Sequence, residues 1–355
     1  MKNLDKMKSL LESGEVDALL LTSEVSRHYA AQYNIAEGVA VVCKNRSYYF
    51  TDSRYIEAAE KNLPDFTVQM VDRDHSYILR INSAIEAETV KTLGFEENYL
   101  TYSEFTKYNS ELHAVLKPYQ KQIGSFRASK EPWELELMRK AQEITDAAFS
   151  QMCEVVKPGM TEKEVTAELI YRLYKNGGEG LSFQPIVVSG PNTSMPHGVP
   201  GERVLQYGDF VTMDFGCLYK GYCSDMTRTV ALGFVTEEMD KVYRTVLEAQ
   251  LAGIAVTKAG VAGRDIDGAA RKVIADAGYG AYFGHGYGHS LGLEIHEAPN
   301  ANPSNDQPMP AGAVCSAEPG IYLPGKFGVR IEDVTVITEN GAEVLTKSPK
   351  NLIIL

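Results

Sequence analysis

"KPGMTEKEVTAELIYRLYKNGG" (157–178) and "KAGVAGRDIDGAARKVIADAGY" (258–279) align without a gap, 101 residues apart. In the first copy Thr161 and Glu164 make the pattern of a capping box, where a Thr hydroxyl and a Glu carboxylate satisfy each other's backbone N–H groups at a helix start. An apolar row follows at Val165, Leu169 and Leu173, and the second copy repeats it at Ile266, Ala270 and Ile274. That spacing is one face of a helix. Glycine ends each copy, as a helix C-terminus should. The stretches ahead of the copies, about 132–153 and 237–256, also read as helices. In the first of these Pro132 suits an initial helical position, and Leu137, Ala141, Ile144 and Ala148 form one apolar stripe. This part of the chain reads as two related α/β halves, and the junction between such halves is a natural place for a site.

Upstream of the repeat the texture differs. From about residue 15 to 121 short apolar runs alternate with amphipathic ones, the pattern of an α/β domain. "VDALLLTS", "GVAVVCK", "SYYFTD", "FTVQMV" and "KTLGFE" are expected strands; "SRYIEAAEKN" (53–62) and "YSEFTKYNSELHAVL" (102–116) are expected helices. At 355 residues two domains are the natural expectation, and the change of texture puts their boundary near 124, giving domains 1–124 and 125–355. Apolar and charged fractions of 44% and 23% are those of an ordinary globular protein. No apolar run approaches the roughly 18 residues that would span a bilayer, and the N-terminus lacks the pattern of a secretory signal. Five cysteines without a C-x-x-C pair read as reduced thiols in the cytoplasm. A net charge of −12 argues against nucleic acid as a partner and leaves room for bound cations.

Chemistry concentrates downstream of the first copy. "DFVTMDFGCLYKGYCSDMTRTVALG" (209–233) is two strand-like runs around Tyr219–Lys220–Gly221–Tyr222. With an even-numbered loop, parity puts Asp214 and Asp225 on one face, opposed for four loop residues and diagonal for two. Two carboxylates there repel unless something compensates them, and Arg228 is one candidate. "AVCSAEPGIYL" (313–323) sets Glu318 in an apolar run, and "FGVRIEDVTVI" (327–337) does the same for Glu332. Buried glutamates are uncommon unless paired or coordinated, and Arg330 shares Glu332's face. "FGHGYGHSLGLEIHE" (283–297) holds three of the seven histidines, His285, His289 and His296, on a glycine-rich segment unsuited to helix. Four carboxylates and a neutral imidazole balance two divalent cations, and two such ions about 3.5–4 Å apart lower the pKa of a water held between them.

On these residues the chain resembles the creatinase/prolidase/methionine-aminopeptidase superfamily of "pita-bread" metallopeptidases, and within it the Xaa-Pro dipeptidases and Xaa-Pro aminopeptidases. The resemblance covers essentially the whole chain. Its strongest stretches are 189–233, 284–299 and 316–334, with a weaker one at "FTDSRYIEAA" (50–59). It implies an α+β protein: an α/β N-terminal domain like that of creatinase, then a pita-bread domain with a pseudo-two-fold repeat. It carries five metal ligands onto Asp214, Asp225, His289, Glu318 and Glu332, with Asp225 and Glu332 bridging the ions. His197 in "MPHGVP", His285, His296 and Arg330 fall on substrate-binding positions. Glu318, His197 and His296 fall on catalytic ones.

The implied function is hydrolysis of the bond between an N-terminal residue and proline, in dipeptides or longer peptides, by a metal-bridging hydroxide. Glu318 acts as general base and then acid, and His296 and His197 stabilise the oxyanion. Oxygen-rich ligation favours two Mn²⁺ ions, with Co²⁺ or Zn²⁺ as alternatives. A homodimer is the family expectation. The competing reading is a non-peptidase member of the fold: another C–N hydrolase, a metal-dependent lyase, or a binding module. His28, His75 and His113 read as ordinary histidines and Cys223 as an inert thiol. The run around Tyr29 departs from the family pattern.

Overall fold

The computed structural model describes residues 2–355, which form two units, divided between Phe126 and Arg127. In the first unit six strands make one sheet, in the order Phe66–Met70, Ser47–Thr51, Val39–Cys43, Ala18–Leu21, Thr92–Phe95, Val115–Pro118. All five strands expected from the apolar runs are present. The sixth corrects the reading of 102–116 as a single helix. The helix runs only over Tyr102–Glu111, closed at its start by a Thr101–Glu104 capping box, and Val115–Pro118 pairs parallel to Thr92–Phe95. Apolar residues of the central strands and of helix Tyr77–Ala87 meet in one core.

In the second unit the repeat is a structural one. Helices Glu162–Lys175 and Gly263–Asp276 begin and end at matching positions of the two copies, and Gly177 and Gly278 follow them at φ 104° and 89°. Those angles belong to the left-handed region, where glycine alone is unstrained. Thr161 and Glu164 make the capping box expected of them. Helices Pro132–Val155 and Glu237–Val256 precede the two copies.

Val165, Leu169 and Leu173 are buried against Ala141, Ile144 and Ala148; Ile266, Ala270 and Ile274 are buried in a separate cluster with Val242, Val246 and Ala249. Each Val, Leu and Ile among them contributes roughly 1.5–3 kcal/mol by leaving water. Leu137 is only partly buried, and the stripe on its helix starts at Met138, one residue further along the 3.6-residue period.

Each helix pair covers an antiparallel sheet. In the first half the order is Met226–Ala231, Phe210–Phe215, Ile186–Ser189; in the second, Asp333–Ile337, Val314–Ala317 and Gly288–Ser290 occupy the matching places, with further strands outside them. The hairpin register pairs Thr227 with Asp214 and Tyr219 with Tyr222, so the loop is the two residues Lys220–Gly221. Both have positive φ, 50° and 80°, as a tight turn of right-handed strands requires. Asp225 is therefore diagonal to Asp214, the second of the two arrangements parity allowed. Among the described residues no helix is long and apolar enough to cross a membrane.

Candidate metal centre and active site

The two halves deliver their acids from equivalent places. Asp214 lies near the end of strand Phe210–Phe215, and Glu318 follows the matching strand Val314–Ala317. Asp225 immediately precedes Met226–Ala231, and Glu332 immediately precedes Asp333–Ile337. The pseudo-symmetry explains how four carboxylates from distant parts of the chain face one cleft, whose cavity volume is about 520 Å³. His197, His285, His289, His296 and Arg330 line it as well, so the cleft gathers every site residue read from the sequence.

Asp225, His289 and Glu332 bring ligand atoms within 4.8 Å of one another. His289 Nε2 stands 3.6 Å from Asp225 Oδ2 and 3.3 Å from Glu318 Oε1. Its Nδ1 faces the carbonyl of Ser290 at 3.3 Å, and a carbonyl can only accept, so the ring proton sits on Nδ1. Nε2 then turns a lone pair toward anionic oxygens, an arrangement that a cation between them makes favourable. Burial pushes the imidazole pKa down, keeping it neutral.

Asp214 Oδ1, Asp225 Oδ1 and Glu332 Oε1 are buried without a hydrogen-bond partner. Burial raises the carboxyl pKa of Asp225 and of Glu332, and each is raised further by repulsion from its acidic neighbours. Glu318 is also raised, mainly by burial. Buried carboxylates with partnerless oxygens, gathered with a neutral imidazole, fit hard or borderline divalent ions.

Two simple ion-pair explanations fail. Arg228 turns away from the Asp pair: its guanidinium meets Asp333 Oδ1 at 2.8 Å and donates to the carbonyls of Thr227, Glu332, Ser348 and Pro349. Arg330 reaches Asp214 Oδ2 at 2.6 Å rather than Glu332, so it offsets one of the four negative charges. Glu332 Oε2 instead accepts from Thr227 Oγ1 at 2.7 Å.

Residues 136–339 match the metallopeptidase family M24, and residues 3–129 match the creatinase/prolidase N-terminal domain. The chain belongs to metallopeptidase family M24. An Xaa-Pro dipeptidase from Bacillus anthracis has the same fold, with a TM-score of 0.96 and 40% identity over 100% of this chain and 99% of that one. An X-Pro aminopeptidase from Thermotoga maritima gives 0.93 and 35%, covering 100% of both chains. The Xaa-Pro dipeptidase of Pyrococcus horikoshii is 33% identical over 98% of this chain and 99% of its own. The α+β architecture is thus that of the family, and the protein is a peptidase of the M24 class with a site for divalent metal.

Within this M24 site His285, read from the resemblance as a substrate-binding residue, has protein partners at both ring nitrogens. His285 Nδ1 faces the Gly286 carbonyl at 2.8 Å, so it is the donor there. Nε2 must then accept from Tyr322 Oη, also at 2.8 Å. Both ring nitrogens are occupied, and His285 offers the cleft its ring rather than a free N–H. Tyr322 also accepts from Arg330 Nη1 at 2.9 Å, so it links His285 to the Arg330–Asp214 pair.

The sequence reading missed Tyr322. Its signal was a pair of glycines across a hairpin: Tyr322 pairs with Gly328, and a Cβ on Gly320 would come 2.4 Å from its hydroxyl. Cys223 is buried in an apolar cluster, where desolvation drives its thiol pKa far up, as an inert thiol should be.

His296 is exposed and stacks edge-on to His289, ring centroids 4.4 Å apart. The turn that carries it is held from beneath by Glu297. Glu297 Oε1 accepts from the N–H groups of Leu293 and Glu294, and Oε2 from Lys130 Nζ at 2.8 Å, both side chains being 2% exposed. A Lys130→Met protein should lose roughly 3 kcal/mol of stability, the low end for breaking a buried pair, because Arg127 Nη1 remains 3.4 Å from Glu297. Urea unfolding measures this; an unchanged midpoint would mean that the pair contributes nothing net.

Proposed function

We propose that the protein hydrolyses the peptide bond between an N-terminal residue and a following proline, in dipeptides or longer peptides. The observation that carries this reading is the cluster of buried acids at His289: Asp225 Oδ2 and Glu318 Oε1 face its Nε2, and Asp214, Asp225 and Glu332 each keep one oxygen without a partner, taken with whole-length relatives named for Xaa-Pro substrates. Asp214, Asp225, His289, Glu318 and Glu332 would hold two divalent ions, Mn²⁺ by ligand type, which when bound polarise the scissile carbonyl and make water acidic.

The protein's own groups do the rest. Glu318, its Oε1 steadied by Ser316 Oγ at 3.1 Å, takes the proton of the attacking water and delivers it to the proline nitrogen. His296 donates to the carbonyl oxygen, and His197 holds the substrate and the same oxygen as charge develops. Arg330 orients Asp214, with Tyr322 and His285 as its brace. We infer as well the division into domains 1–124 and 125–355, a cytoplasmic location and a homodimer, the last to be read by light scattering.

The deciding experiment is incubation of the Mn²⁺-loaded protein with Xaa-Pro dipeptides, Xaa-Pro tripeptides and matched peptides carrying alanine second. Cleavage before proline and little before alanine is the expected result. Equal cutting of both, or of neither, removes the assignment and leaves another chemistry on this fold.

A further inference from the structure

Glu162 has no part in the chemistry above, yet its side chain is fully buried. Its carboxylate takes four hydrogen bonds from two places in the chain. Oε1 accepts from Ser189 N at 2.8 Å, Ser189 Oγ at 2.9 Å and Asn192 Nδ2 at 3.0 Å. Oε2 accepts from Gly201 N at 2.9 Å. Ser189 and Gly201 are the two ends of the loop that carries His197. Arg203 completes the fastening, with Nη1 2.6 Å from Ser189 Oγ and a two-pronged contact to Asp209. His197 is a central residue of the tight Met195–Gly198 turn, and the carbonyl of Pro196 just before it accepts from Arg330.

We propose that Glu162 is a positioning residue for His197: by tying both ends of loop 189–201 to one anion it sets where that imidazole stands in the cleft. The inference rests on the substrate-holding role proposed for His197.

The other half of the unit separates this role from simple folding. Glu162 N and Lys163 N bond to the carbonyls of Arg203 and Gly201 at 3.0 and 3.2 Å; Gly263 N and Arg264 N bond to those of Gln307 and Asn305 at 3.3 and 2.7 Å. Helix start and neighbouring segment are the same in both halves, but the residue matching Glu162 is a glycine. A Cβ there would come 2.3 Å from Asn300 O and 2.6 Å from Asn305 Nδ2, so the uncharged Asn305 amide fills the space. The fold forms this junction without a buried carboxylate. What the carboxylate adds in the first half is four bonds to a charged acceptor, about twice as strong as neutral ones, on the loop bearing His197.

Glu162→Gln keeps the shape but presents an amide N–H₂ toward backbone donors. It should lower kcat/KM for an Xaa-Pro dipeptide by about tenfold or more, since a misplacement near 1 Å can cost about 10²-fold. His197→Ala supplies the reference. In the His197→Ala background the Glu162→Gln change should then cost less than about twofold, because both act through one imidazole. Hydrogen exchange on the metal-free protein should show protection lost over 190–201 and kept in strands 210–215 and 314–317.

The same tenfold cost in both backgrounds, or wild-type kinetics for Glu162→Gln, overturns the proposal. Wild-type kinetics for His197→Ala alone removes its premise, and so fails the role of His197 rather than the fastening, which exchange still reports. Should Glu162→Gln not fold, Asn192→Ala removes one of the four bonds and enters the same cycle, with a two- to threefold loss expected only when His197 is present.

Discussion

An Asp225→Asn protein should bind Mn²⁺ too weakly to cleave an Xaa-Pro dipeptide, yet resist urea better than metal-free wild type at pH 8. The two halves of that result have one cause. Asp225 is 3% exposed, its Oδ1 has no partner, and burial followed by the charges of Asp214 and Glu318 drives its carboxyl pKa upward. Holding the carboxylate ionised there works against folding when nothing positive faces it. Asparagine has almost the same shape and no charge, so the metal-free fold is relieved. The same change removes an anionic ligand, and activity should fall further than the roughly 10- to 100-fold lost when a group that merely orients a ligand is removed. Calorimetric titration with Mn²⁺ and urea midpoints of chelator-treated proteins make the comparison. A variant that is less stable than metal-free wild type and still binds Mn²⁺ tightly would show that Asp225 is an ordinary structural acid. Sites built for function are places where stability is commonly surrendered.

How far these residues could be found in the sequence depended on the range of the interactions that define them. The helices of the repeat were legible because apolar period, capping box and terminal glycine are local and agree with one another. Val165, Leu169 and Leu173 are fully buried, as that agreement requires. The acids were legible because Glu318 and Glu332 interrupt apolar runs of sequence and because hairpin parity is arithmetic. The strand Val115–Pro118 was not. Its residues are mostly exposed at a sheet edge, and Val115 and Leu116 continue the helical phase of the preceding turn. Only the parallel partner Thr92–Phe95 makes them a strand, and that partner is tertiary.

Arg330 illustrates the same limit in the cleft. Alternation placed it on Glu332's face, but its choice of Asp214 depends on the strand from the other half. Glu162 escaped notice because it stands beside Glu164 in an ordinary acidic first turn, and nothing local distinguishes the carboxylate that is buried from the one that caps. His285 was found, but the occupation of both its nitrogens follows from Tyr322 and Gly286, whose positions no spacing gives.

Metal-free and Mn²⁺-loaded protein should respond differently to pH. In the metal-free state Asp225, Glu318 and Glu332 have folded pKa values above their ordinary 3.8 and 4.5, chiefly through burial. Between those ordinary values and the raised ones, the folded protein holds protons that the unfolded chain has released. Stability then falls as pH rises, since its slope follows protons bound unfolded minus protons bound folded. Metal-free Tm should accordingly drop from about pH 5 to pH 8. Below about pH 4 the trend reverses, because Glu164 and Glu104, lowered by hydrogen bonds from the backbone and side chains of Thr161 and Thr101, lose the carboxylate that caps their helices.

Bound ions need the carboxylates ionised, so loading strengthens with pH and adds about 2.7 kcal/mol once free Mn²⁺ reaches a hundredfold over its Kd. The gap between the two Tm curves should widen steadily toward pH 8. Thermal scans at fixed ionic strength, with chelator or with excess Mn²⁺, measure it. Parallel curves would mean that the buried acids do not take the ions, and the metal centre would have to be sought elsewhere in the chain.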